Sequence, residues 1–362
     1  MSELYSDIKN AIIQIATPFG IGTGFYLHDY KLIVTNLHLT SGLNEVVIKG
    51  NHFPKTMASV IYRDHIYDLA FIEAAESVLL AKLKLGNIDS INEGDSVTAI
   101  GQAFGSEFSA TKSVIKKLRV NIEAKDFIQI EASINSQNNG GLLINEKNEI
   151  IGVNNFNMTE GKVPGCALSV NHLKKTLEEY KPLLGKFALR CNSCSNIITD
   201  ENIENYTCKK CGTKIEKEDF DGKKYSPPPG CEKIEEIIRK LNYEVPIARI
   251  GQNYWEIEEG SALICINYDA ENKYIKAYAV LCKLPRNNIG SIYEYLLKEN
   301  NYLKGLSFSV LNQEILLSMM YISEEDLHVH SAIRLFKSLF NKADDYDDIL
   351  IEMGAVPLQE EE

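Results

Sequence analysis

Val34-Thr35-Asn36-Leu37-His38-Leu39-Thr40 is an apolar, β-branched run that delivers a histidine at its end, and Asp68-Leu69-Ala70-Phe71-Ile72 is a second run that opens on an aspartate. Both read as strands. A third stretch, Ile134-Asn135-Ser136-Gln137-Asn138-Asn139-Gly140-Gly141, ends in a Gly-Gly turn that would aim the side chain before it. In a nucleophilic triad a hydroxyl attacks a carbonyl, an imidazole takes its proton, and a buried carboxylate fixes the imidazole tautomer. Here the residue before the glycines is Asn139. A side-chain amide has no proton that imidazole removes near neutral pH, so Asn139 decides between enzyme and binder.

Further segments accompany these three. Gly22-Thr23-Gly24-Phe25-Tyr26-Leu27 precedes the histidine run, and Leu85-Gly86-Asn87-Ile88-Asp89 and Gly94-Asp95-Ser96-Val97-Thr98-Ala99-Ile100-Gly101-Gln102-Ala103-Phe104-Gly105 follow the aspartate. Phe127 to Asn135 leads into the third stretch, and Asn148-Glu149-Ile150-Ile151-Gly152-Val153-Asn154 leaves it. In this order the set resembles the HtrA/Deg branch of trypsin-like serine proteases, over about the first half of the chain. The resemblance implies an all-β double barrel in which His38 is general base, Asp68 orients it and position 139 holds the nucleophile. It further implies an oxyanion hole from the backbone N–H groups of Gln137 and Asn139. A substrate-binding set follows in the same way: Ser133 near the base of the specificity pocket, Asn154, Asn155 and Phe156 as the edge strand for an extended peptide, and Cys166 and Ala167 lining the pocket. Read without the resemblance, Cys166 is a small buried hydrophobe. Asp64 is a second candidate carboxylate, but Asp68 stands directly before Leu-Ala-Phe-Ile.

The nucleophile loop departs from the family pattern Asn-Pro-Gly-Asn-Ser-Gly-Gly-Pro, with Ser136, Gln137, Asn139 and Leu142 in place of proline, glycine, serine and proline. A non-glycine residue at 137 would resist the backbone conformation that glycine permits. Ser133 and Ser136 both precede the turn and are poor substitutes for the nucleophile. Two functions follow: a pseudoprotease that binds peptide or protein, or a serine endopeptidase whose serine at 139 was replaced by substitution.

Cys191-Asn192-Ser193-Cys194 and Cys208-Lys209-Lys210-Cys211 have the spacing of two metal-binding knuckles. Four thiolates leave no open coordination position, so a structural zinc ribbon over 186–216 is expected, with a rubredoxin-like iron site as the alternative. A charged and proline-rich linker is expected over 217–230, through Ser226-Pro227-Pro228-Pro229-Gly230.

Residues 231–343 read as helix, three strands, helix, two strands, helix. Ile234, Ile237, Ile238 and Leu241 lie at helical spacing, Asn312-Gln313 joins a hairpin from Gly305 to Tyr321, and Ser323-Glu324-Glu325-Asp326 suits a helix start with acids at its positive end. This order, with Leu303 to Phe308 before the hairpin and Ser323 to Leu327 after it, resembles type III secretion chaperone-like domains, which also occur in YbjN-type regulators. The resemblance implies an α+β protein-binding module that commonly dimerises. His328 and His330 read as solvent-facing, and 344–362 as a solvated acidic tail. The fold class is therefore multidomain, with the peptidase-like region at 1–185.

The chain has 362 residues, a net charge of −12 and eight cysteines. That charge disfavours a role built on phosphate contacts. The opening Met1-Ser2-Glu3-Leu4-Tyr5 lacks a basic region and no apolar stretch reaches membrane-spanning length, so a cytoplasmic protein with reduced thiols is expected.

Overall fold

The computed structural model describes residues 5–74, 80, 82–106, 108–122, 125–132, 138–155, 165–260, 262–319, 322–323, 325 and 327–358. It divides into two compact units, Met1–Tyr225 and Ser226–Glu362.

The first unit opens with helix α1 (Ser6–Ala11) and strands β1 (Ile12–Thr17), β2 (Gly20–Leu27) and β3 (Leu32–Asn36). The single turn α2 (Leu37–Thr40) follows, then β4 (Glu45–Gly50), β5 (Phe53–Asp64) and β6 (Leu69–Glu73). Neighbours pair antiparallel in the order β1-β2-β3-β6-β5-β4, and β4 closes back on β1. This is a six-stranded barrel without free edges. The short β7 (Lys84–Leu85) leads to β8 (Ser96–Gly101), β9 (Ser109–Ile122), β10 (Lys125–Ile130), β11 (Leu142–Asn145), β12 (Glu149–Asn155) and β13 (Cys166–Ser169). These last six repeat the pattern: β8-β9-β10-β13-β12-β11, closed on β8.

The apolar runs of the first barrel are continuous because both strand faces are buried. On β6, Leu69 and Phe71 join a cluster that also holds Phe127, Leu142 and Val153 of the second barrel. Ala70 and Ile72 join another with Ile13, Ile33 and Ile48. A strand facing apolar neighbours on both sides loses the alternation of a half-exposed one. Helix α3 (Val170–Tyr180), capped by Ser169, seals the shared cluster with Leu173, Leu177 and Tyr180.

Strand β14 (Ala188–Arg190) adds parallel to β5, and β15 (Ile197–Ile198) adds to β14. The hairpin β16 (Ile203–Glu204) and β17 (Thr207–Cys208) carries the second cysteine pair. The expected linker is partly structured: Lys217–Asp221 forms helix α4, and 217–223 packs on the first barrel through Arg63 and Asn44.

The second unit begins with α5 (Pro229–Lys240) and α6 (Val245–Ala248). Then come β18 (Arg249–Gly251), β19 (Tyr254–Glu259), β20 (Ala262–Asp269), β21 (Tyr274–Lys283), α7 (Ile289–Asn300), β22 (Leu306–Leu311) and β23 (Glu314–Met319). The sheet order is β18-β19-β20-β21-β23-β22, with Asn312 and Gln313 both at positive φ in the β22–β23 turn. Trp255 is fully buried in the core.

Two expectations are corrected here. Ser323 does not cap the last helix: it lies in β24 (Ile322–Ser323), and α8 (Val329–Glu352) starts after His328. The acidic stretch is no solvated tail, because α8 runs through it with Tyr346, Asp347 and Leu350 buried. Beyond it, β25 (Val356–Pro357) pairs with β21. The acids hid a stripe at helical spacing from Ala332 to Leu350.

Candidate active site

His38 and Asp68 meet at the end of the first barrel. Asp68 sits at φ 52, a left-handed conformation that aspartate tolerates better than most residues. Its carbonyl is held by the Leu37 N–H at 3.1 Å and the Asn36 side-chain amide at 3.2 Å. Its carboxylate is then aimed at α2: Oδ1 accepts from the His38 backbone N–H at 3.0 Å, and Oδ2 lies 2.7 Å from His38 Nδ1. A carboxylate on Nδ1 selects the tautomer with the proton there and leaves the Nε2 lone pair facing outward. Asp64 has a different role. It is fully buried and binds Arg190 Nε at 2.6 Å, the Tyr62 hydroxyl at 2.9 Å, and the N–H groups of Ile66 and Tyr67.

The second barrel supplies the facing side. The Asn139 carbonyl accepts from the Thr23 N–H at 2.9 Å, the Gly140 N–H donates to Asn154 O at 3.0 Å, and the Gly141 N–H donates to Asn138 O at 3.0 Å. Gly140 has φ 77, and a Cβ there would stand 2.1 Å from Thr23 O; at Gly141 it would stand 2.2 Å from Ile100 O. The turn therefore requires both glycines. It places Asn139 Nδ2 3.3 Å from His38 Nε2, with Asn139 only 4% exposed. With the Nδ1 proton on the Asp68 side, the amide donates to the Nε2 lone pair.

The remaining residues expected at the site separate into three groups. Asn155 joins the His38–Asp68 pair: its amide donates to Asp68 Oδ2 at 2.8 Å across the barrels. This role was missed in the sequence; the only hint was a second asparagine after the apolar run 150–153. Asn154 is structural, not a free edge. Its side chain donates to Ile100 O and Leu142 O, and its backbone bonds Gly140 and Gly141. Cys166 and Ala167 are buried on β13 between β10 and β12, where Ala167 packs in the second barrel's core and burial pushes the Cys166 thiol up. Ser133, Gln137 and Phe156 lie outside the described residues.

Residues 22–153 match the family described as trypsin-like peptidase domain. The match falls within the double barrel. Among curated relatives, the probable periplasmic serine endoprotease DegP-like of Buchnera aphidicola subsp. Baizongia pistaciae is 34% identical over 171 residues, 44% of this chain and 37% of that protein. Serine protease HTRA4 of Mus musculus is 29% identical over 182 residues, 48% and 37% respectively. The periplasmic pH-dependent serine endoprotease DegQ of Escherichia coli is 31% identical over 154 residues, 41% and 34%. The chain thus spans about a third of the length of these relatives. A solved structure, HtrA-type protease AlgWS227A with tripeptide, has 24% identity and a TM-score of 0.44, covering 49% of this chain and 62% of that one.

Beside the first barrel, Cys191, Cys194, Cys208 and Cys211 converge, with all four Sγ atoms within 4.8 Å of one another. Cys191 and Cys211 are 3.6 Å apart, and Cys194 and Cys208 3.8 Å. A tetrahedral zinc with Zn–S bonds of about 2.3 Å has sulfur–sulfur edges of about 3.8 Å. The two loops share one backbone pattern. Cys191 N–H donates to Asn196 O and its carbonyl accepts from Ser195; Cys208 N–H donates to Thr213 O and its carbonyl accepts from Gly212. Ser195 and Gly212 both hold positive φ. Four sulfurs with this spacing could hold one thiophilic ion. Burial pushes the Cys191 thiol up to about 11, whereas hydrogen bonding with the Thr213 side chain and backbone holds Cys211 at about 6.

Proposed function

We propose that this chain is a trypsin-like serine protease homologue that holds an extended peptide between its barrels without hydrolysing it. The observation that carries the reading is the Asn139 amide against His38 Nε2 at 3.3 Å. Binding brings a scissile carbonyl to an atom that cannot attack it. Loss of the nucleophile in such sites costs on the order of 10⁶ in turnover. The four cysteines hold a structural zinc, in a reducing, cytoplasmic setting. The second unit acts as a chaperone-like protein-binding module, which its exposed Ile289, Tyr293, Leu297 and Tyr302 support for a partner or a second copy.

The intact His38–Asp68–Asn155 network favours a second reading, an endopeptidase whose serine at 139 was replaced. A fluorophosphonate labels only a serine activated by its base, so it separates the two in the chain and in Asn139→Ser. Under the first reading the chain neither labels nor cleaves casein yet retains a casein-derived peptide, and Asn139→Ser stays unlabelled. Labelling of Asn139→Ser that is lost with His38→Ala establishes the second. Hydrolysis by the chain itself, abolished by His38→Ala, overturns the first.

A further inference from the structure

We propose that the cysteine cluster braces the His38 side of the cleft: with metal bound, residues 217–223 clasp the loop that follows α2, and metal loss releases it. This rests on the metal reading above.

The brace can be followed atom by atom. Ile215, just after Cys211, is buried with Leu189, Cys191, Ile198 and Cys208, and its N–H donates to Tyr206 O at 2.7 Å. On α4, Phe220 packs edge-on against Phe187 and Tyr206, and the Tyr206 hydroxyl donates to Asp221 at 2.7 Å. The ribbon therefore holds α4. A five-residue helix does not persist alone, so α4 depends on that hold.

From α4 the contacts pass to the loop. Arg63 is 1% exposed, and one guanidinium nitrogen donates to the carbonyls of Glu218 and Asp219. The other donates to Leu43 O at 2.8 Å and Asn44 Oδ1 at 2.7 Å. Asn44 returns a bond to Asp221 O at 2.6 Å, and the Lys223 N–H donates to Gly42 O at 2.8 Å. The approach needs glycine: Gly222 has φ 78, and a Cβ there would lie 2.3 Å from Asn44 Oδ1. The loop is tied directly to α2, with Ser41 N–H on His38 O and Leu43 N–H on Thr40 O. Two hydrogen-bonded steps thus separate the strap from His38.

The ribbon buries only five residues in its own cluster, too few to order it without its ion. Its loss frees α4, leaves Arg63 without two acceptors and removes both strap bonds to the loop. Linkage requires the converse, that a loosened strap weakens metal binding.

Hydrogen exchange of the full chain, zinc-loaded and chelated, reads this directly. Chelation is expected to speed exchange over 217–223 and 40–46 together by about tenfold or more while 142–153 stays unchanged. Gly222→Val should exchange fast over 40–46 even with zinc present, with no further gain on chelation. It should also bind zinc about fivefold or more weakly in competition with a chromophoric chelator. Fast exchange confined to 191–211 on chelation, or unchanged zinc affinity in Gly222→Val, overturns the brace and leaves the metal site standing. Failure of the chain to bind any zinc overturns both.

Discussion

Replacing Arg190 by methionine should destabilise the first unit by about 3 kcal/mol. The guanidinium is 1% exposed and the Asp64 carboxylate fully buried, 2.6 Å apart, with Glu179, the Ser195 carbonyl and Tyr67 completing the arginine's surroundings. Burial opposes the charge, yet Asp64 and Tyr62 hold the guanidinium pKa above its ordinary value. Breaking a buried pair from one side costs about 3–5 kcal/mol, because the other charge stays uncompensated. Three neutral donors would remain on Asp64, from Tyr62, Ile66 and Tyr67, each contributing about 1 kcal/mol. They place the loss at the lower end. For a unit of this size, Met1–Tyr225, that is a fall in Tm of about 6–12 °C by scanning calorimetry. The lone tryptophan, Trp255, lies in the other unit, so its fluorescence follows that unit separately. Adding Asp64→Asn should recover most of the loss by removing the stranded charge. A single variant within about 1 kcal/mol of the parent, or a double variant no better than the single, would refute the reasoning.

Three other changes have clear directions. Gly140→Ala must fit a Cβ 2.1 Å from Thr23 O at φ 77, so it should cost about 3 kcal/mol or more in urea denaturation and displace Asn139. Burial holds the His172 pKa below its ordinary value, and its Nε2 accepts from the Asp126 N–H at 2.9 Å. The unfolded chain then takes up the proton first, so stability present above pH of about 6.5 should fall as pH drops toward the folded pKa; His172→Gln should flatten that part of the stability profile. Truncation after Ala343 removes the buried Tyr346, Asp347 and Leu350 and strand β25, and should abolish the cooperative transition of Trp255 fluorescence.

What the sequence disclosed depended on how local the signal was. His38, Asp68 and Asn139 stand in runs whose order alone suggests their meeting, and the cysteine pairs have a spacing few other arrangements share. The family resemblance places Asn155 on a peptide-binding strand, but its bond reaches Asp68 87 residues away in the other barrel. Arg63 and Arg190 gave no sign of burial; their partners exist only once β14 lies along β5 and α4 has folded back. At the end of α8, acids on the outer face conceal the apolar stripe beneath. Composition sees charge, whereas burial depends on phase.

The site is stitched across two barrels that each close on themselves. Its decisive contacts join residues 30, 87 and 101 positions apart: His38 with Asp68, Asn155 with Asp68, and Asn139 with His38. None of the cross-barrel bonds can form before both barrels have closed and docked, and pairings this distant in sequence form slowly. Assembly of the cleft should therefore trail the appearance of β structure during refolding. In a chain emerging from the ribosome, the His38–Asp68 pair must wait for Asn139 and Asn155 to follow it out. The cleft is thus a timekeeper for the whole double barrel.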